Sequence, residues 1–285
     1  MMEEVNYVNA QATFSVSYRK ASSHHMKINH LHSSYEFFYL MSGQRRFFIK
    51  DRTMIVDEGH IIMIGPNVLH RTTDAHTSEY ERLVVNIHSG ELAWAEGISP
   101  DFINRLLDHE YLILKCPPQT AILIEELSRS IIKEIRERNH GFELYAQTLV
   151  FQMLILCSRH LLNSSADSTE VQNPAAYERI FEVVRYMNSH YMQDMSLPLV
   201  AEKFYISPYY LSRFFKEATG FTFIEYLNHV RVKEAKQLLE NSSMKVNLIA
   251  RKVGFGSITH FGRVFKQVTG QAPLYYRKKG WWDSR

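Results

Sequence analysis

Cysteine is scarce in this 285-residue chain: Cys116 and Cys157 are its only two. Two thiols 41 positions apart indicate neither a disulfide framework nor a zinc site, and they suit a reducing cytosol. Long apolar runs are missing as well. The richest stretch, Leu149 to Cys157, is far shorter than a membrane span, and the N-terminus, Met1-Met2-Glu3-Glu4, is acidic with no apolar run behind it. A soluble, cytoplasmic protein is expected. Net charge is also low, at +3, but it is unevenly placed. Residues 1–174 hold 16 Lys+Arg against 21 Asp+Glu, whereas residues 175–285 hold 17 against 9. A basic C-terminal half on an acidic partner half points to a polyanion ligand, although the same charge would also solubilise a small helical domain.

A duplication favours the polyanion. Leu211-Ser212-Arg213-Phe214-Phe215-Lys216-Glu217-Ala218-Thr219-Gly220 and Phe261-Gly262-Arg263-Val264-Phe265-Lys266-Gln267-Val268-Thr269-Gly270 repeat one pattern fifty positions apart. Each copy follows a short apolar helix, Leu199-Val200-Ala201 or Leu248-Ile249-Ala250, with a small alanine where two helices must approach closely. Each carries an arginine opposite its aromatic residues, as the second helix of a helix-turn-helix does. Helices are expected near 175–191, 197–204, 208–218, 222–240, 246–252 and 257–268, with a last turn near 273–277. Ser207-Pro208 supplies an N-cap and an N1 proline, and Phe214, Phe215, Phe221, Phe223, Phe255, Phe261 and Phe265 fall where the inter-helix cores would lie. The 222–240 helix would span roughly 28 Å, enough to hold two readers about one duplex turn apart.

The N-terminal half reads differently. Between 13 and 88, short apolar or alternating runs (14–18, 35–41, 46–50, 54–57, 60–64 and 83–88) are punctuated by Ser42-Gly43, Asp57-Glu58-Gly59 and Gly65-Pro66-Asn67, which suggests a compact antiparallel β-barrel or sandwich with reversals at those sites. From about Ser99 the period becomes helical, with helices near 119–138 and 142–162. On the first, Ile124, Leu127, Ile131 and Ile135 form a stripe that either packs on the barrel or joins two copies of the chain. Residues 163–174 read as a linker, which gives domains at 1–162 and 175–285.

Residues 175–280 resemble the DNA-binding domain of AraC/XylS-type transcription regulators, through Gly254-Phe255, Phe261-Gly262-Arg263-Val264-Phe265-Lys266, Gly270, Pro273 and Tyr276-Arg277. The resemblance implies base-facing positions at Tyr209, Ser212 and Arg213 in the first reader and at Ile258, Thr259, His260 and Arg263 in the second. Arg213 and Arg263 could read guanine bidentately or grip phosphate. Lys216 and Lys266, with Arg231, Lys245, Arg251 and Lys252, are phosphate contacts or solvated charges. The resemblance further implies an activator that contacts RNA polymerase and acts as a homodimer.

His30-Leu31-His32-Ser33-Ser34-Tyr35-Glu36, with Gly43, Gly59, Pro66 and His70, resembles the two cupin motifs. His30, His32, Glu36 and His70 would then face a barrel interior and line an effector pocket; in cupin enzymes such a set binds a divalent metal. Tyr35, Phe37, Tyr39 and Phe47 offer ring faces for a sugar, or fill the core. The fold expected is therefore α+β: an N-terminal cupin or jelly-roll-like antiparallel barrel with helices, then an all-α double helix-turn-helix domain. The function expected is effector-responsive, sequence-specific transcription regulation, with no enzymatic activity, cofactor or metal; a metal-dependent cupin enzyme with a DNA-binding appendage is the alternative.

Overall fold

The computed structural model describes residues 2–22, 34–75, 79–92, 106–163 and 177–282. Among these, the first half is an antiparallel sheet of strands β1 (Glu3–Val8), β2 (Phe14–Ser22), β3 (Tyr35–Ile49), β4 (Arg52–Asp57), β5 (His60–Ile64), β6 (His70–Asp74), β7 (Glu79–Ile87) and β8 (Tyr111–Lys115). Strand order is β1-β2-β7-β3-β5-β8, and β4 and β6 pair with the second half of β3.

Two sequence expectations change here. Ser42-Gly43 is no reversal: β3 runs unbroken through it, with a register shift between Leu40 and Ser42 that lets one strand serve both parts of the sheet. Gly43 is needed because its φ is +84° and an added Cβ would stand 2.3 Å from the Glu79 carbonyl oxygen. The helical period expected from Ser99 is also interrupted, because Tyr111–Lys115 forms strand β8 along β5; residues 93–105 lie outside the described residues.

Alternation sorts the side chains into two layers. Phe38, Leu40, Phe47, Ile49, Met54, Val56, Ile62, Ile64, Tyr80 and Val84 fill the interior between the sheet's parts. Phe14, Val16, Phe37, Tyr39, Met63, Leu83 and Val85 face the other way, onto helices α1 (Pro118–Glu137) and α2 (Phe142–Asn163). Ile124, Ile131 and Ile135 of α1 are buried in that layer and Leu127 packs against it, so the apolar stripe is covered by the chain's own sheet.

The second half is helical: α3 (Glu178–His190), α4 (Leu197–Lys203), α5 (Pro208–Thr219), α6 (Phe223–Asn241), α7 (Val246–Lys252), α8 (Ile258–Thr269) and α9 (Pro273–Trp282). Two small cores, one around Phe181, Leu211, Phe215 and Phe221 and the other around Ile249, Phe255, Phe261 and Phe265, are strung along α6. The expected phenylalanines are buried, apart from the half-buried Phe214.

Candidate functional site

Helices α4–α5 and α7–α8 form the two helix-turn-helix motifs, and the repeat extends to single hydrogen bonds. Ser207 Oγ accepts from the Tyr210 N–H at 3.1 Å, and Ser257 Oγ accepts from the His260 N–H at 3.4 Å, so both reader helices open on a serine cap. At the far ends, Gly220 and Gly270 take φ values of +78° and +77° and donate to the carbonyls of Lys216 and Lys266. Thr219 and Thr269 each donate to the carbonyl four residues back, at 2.7 and 2.8 Å, and each accepts from the N–H two residues on. Ala201 and Ala250 are buried, each in the core that its own helix pair helps to form.

These frames leave one face of each second helix in solvent. On α5 it carries Tyr209, Ser212, Arg213 and Lys216; on α8 it carries Ile258, Thr259, His260, Arg263 and Lys266. Both sets are exposed. The α5 set lines an open concavity of 380 Å³, which also includes Glu217. Glu217 accepts a hydrogen bond from the Tyr177 hydroxyl at 2.7 Å, so this carboxylate is tied to the segment entering α3. Sequence reasoning did not single it out, although it lies one helical turn beyond Arg213.

Arg231 is a correction. Rather than facing a phosphate, its Nε donates to the Tyr191 carbonyl and its Nη2 to the Gln193 carbonyl, each at 2.8 Å. Burial lowers its pKa, with Asp194 opposing, and it braces α6 against the end of α3 beside Gly254.

In the first half, Glu36 and His70 come together. Both are buried, with His70 Nε2 3.5 Å from Glu36 Oε1 and His70 Nδ1 2.9 Å from the Val68 carbonyl oxygen. Burial opposes charging of the imidazole, but Glu36 and the Val68 carbonyl outweigh it, and the His70 pKa is raised. His30 and His32 lie outside the described residues. Among the described residues no three His, Cys, Asp or Glu side chains group as metal ligands. Of the proposed sugar-facing rings only Phe47 points inward; Phe37 and Tyr39 belong to the layer under the helices, and Tyr35 packs against it, because they fall on the opposite phase of β3. The interior instead holds Arg45, paired with Asp74 and seated 4.2 Å from the Tyr80 ring centroid.

Residues 200–279 match the helix-turn-helix domain family, and residues 12–154 match the AraC-like ligand binding domain. The second match takes in half of the chain, and the protein belongs to the AraC family of helix-turn-helix transcription regulators, a non-enzymatic family. Its second half thus matches a helix-turn-helix domain and its first half an AraC-like ligand binding domain.

Among curated relatives, the HTH-type transcriptional regulator YijO of Escherichia coli K12 is 36% identical over 135 residues, 47% of this chain and 46% of that protein. The arabinose operon regulatory protein of Escherichia coli K12 is 28% identical over 145 residues, 50% of this chain and 49% of that one. The chain thus spans about half the length of these curated relatives. Among solved structures, ToxT from Vibrio cholerae O395 aligns over 98% of this chain and 96% of its own, with 15% identity and a TM-score of 0.38. Among the described residues no helix is long and apolar enough to cross a membrane.

Proposed function

We propose that the protein reads an operator with both reader helices and adjusts that reading to a small effector held inside the β-barrel. The observation that carries this is the matched exposure of α5 and α8 at the two ends of α6, a 19-residue rod. Tyr209, Ser212 and Arg213 contact base edges in one major groove; Ile258, Thr259, His260 and Arg263 contact them in the next, with Arg213 and Arg263 bidentate to guanine. Lys216 and Lys266 neutralise phosphates and supply affinity that falls steeply with salt. Ile258 offers only apolar contact, so the second helix reads fewer donors and acceptors than the first.

The division of labour follows domains at 1–162 and 175–285 joined by 163–174. The effector sits near Glu36 and His70, completed by His30 and His32. A sugar is one candidate class, by analogy with the relative named arabinose operon regulatory protein. Homodimer formation and contact with RNA polymerase complete the reading.

Selection of bound sites from random DNA at stated salt, with and without a metabolite extract, tests the two-groove reading and its effector dependence together. The expected result is two readable blocks about one helical turn apart, with affinity that changes on adding metabolites. A single block, or no metabolite dependence, overturns the corresponding half.

A further inference from the structure

The two reader helices end alike, yet among the described residues the barrel grips only one of them. Carbonyls in the last turn of a helix lack partners within it and must be satisfied from outside. At α8, an added Cβ on Gly270 would meet no atom within 4 Å. At α5 the same position is covered: an added Cβ on Gly220 would lie 2.6 Å from Arg71 Cδ. Arg71 Nη1 donates to the Gly220 carbonyl, and Thr53 Oγ1 donates to the Ala218 carbonyl at 2.5 Å. A guanidinium at a helix C-terminus is also favoured by the helix dipole.

Around this grip the barrel makes a continuous seam. Phe48 meets the rings of Phe221 and Tyr226 with centroids 5.9 and 6.0 Å apart, and Leu69 joins the same core. The Tyr226 hydroxyl reaches the Lys50 carbonyl at 2.9 Å, and Lys236 donates to Asn67. Much of the seam comes from Asn67 to Arg71, the segment that also builds the barrel wall. Alternation along it sends Leu69 and Arg71 outward to the first reader and His70 inward to Glu36.

We infer that strand β6 links the barrel interior to the first reader alone: Arg71 of β6 and Thr53 of β4, which both pair opposite Phe48 of β3, are positioning residues that hold α5 by its C-terminal end, and His70, on the opposite face of β6, sets where Arg71 stands. The lever is favourable. Tyr209 lies ten residues from Thr219, about 15 Å along the helix, so a tilt of about 5° at the gripped end moves the base-facing end by roughly 1.3 Å. A bidentate guanine contact does not survive such a shift.

The inference rests on base reading by α5, so its test includes Arg213→Ala as an internal standard. The full chain and its variants are measured against the selected site and against sites altered under either reader. Arg71→Ala is expected to cut discrimination at the base pairs under α5 by about fivefold or more while leaving discrimination under α8 unchanged, and Arg71→Lys to restore part of the loss. Thr53→Val carries the same test should Arg71→Ala fail to fold. His70→Gln, or Glu36→Gln from the other side of the pair, is expected to alter discrimination under α5 in the wild-type background and to add nothing in the Arg71→Ala background.

If Arg213→Ala itself leaves base preference intact, the base-reading assignment falls and takes this inference with it. If Arg213→Ala shifts preference while Arg71→Ala and Thr53→Val do not, or if they weaken both readers equally, the grip is not a positioning device. Effects of His70 and Arg71 that multiply independently overturn the link through β6.

Discussion

Tyr205 stands in the turn of the first motif where Gly254 stands in the second, and both backbones are left-handed, with φ of +54° and +93°. Their neighbours explain the difference. Gly254 has no room, since an added Cβ would lie 2.7 Å from the Tyr191 carbonyl oxygen and 2.9 Å from Arg231 Nε, whereas Tyr205 is 90% exposed and meets no such wall. Tyr205→Gly should therefore raise stability by about 1 kcal/mol, and Gly254→Ala should lower it by more than that, as read from denaturant midpoints.

Arg213→Ala should cost about 1–3 kcal/mol of binding and relax preference at one base pair, whereas Lys266→Ala should weaken all sequences alike and shallow the salt dependence by about one ion. Competition titrations at several salt concentrations separate the two. A uniform loss from both variants would mean that Arg213 grips phosphate.

Ile131 is fully buried between α1 and the sheet. Ile131→Ala should cost about 2–5 kcal/mol, independent of protein concentration. A loss that shrinks as concentration rises would place the stripe at an interface between copies instead.

His229, on α6, is buried with its ring 5.7 Å from that of Phe221. Burial lowers its pKa from 6.5 to about 4, with Glu225 opposing. The imidazole is thus neutral in the folded state at pH 7, and its contribution to stability is complete above the unfolded pKa. As pH falls from about 6.5 towards 4 the unfolded chain takes up the proton first, and up to roughly 3 kcal/mol is lost. Urea unfolding across this range should show the slope, and His229→Leu should flatten it.

The helical half was the more legible part of the chain, for a physical reason. Serine caps, an N1 proline, left-handed glycines and an apolar period are local, and they set α4, α5, α7 and α8 to within a residue or two. The strands were harder. β6 has the sequence His-Arg-Thr-Thr-Asp and little apolar content, and only its pairing with β3 makes it a strand. Gly43 looked like a turn because a bulge and a turn draw on the same positive φ. The exposed face of the readers followed from spacing, but the commitment of Arg231 to two carbonyls and the reach of Arg71 to Gly220 depend on tertiary contact, which sequence pattern does not encode.

The seam between the halves joins distant parts of the polypeptide: Thr53 and Ala218 are 165 positions apart, and Lys50 and Tyr226 are 176 apart. Among the described residues strands β1 to β8, by contrast, pair with one another within the first 115 residues. During synthesis the barrel can close before the ribosome has released α5, and chain segments that emerge first generally fold first. The first reader is therefore laid onto a finished surface, and any error in closing the barrel is inherited by the helix that emerges after it.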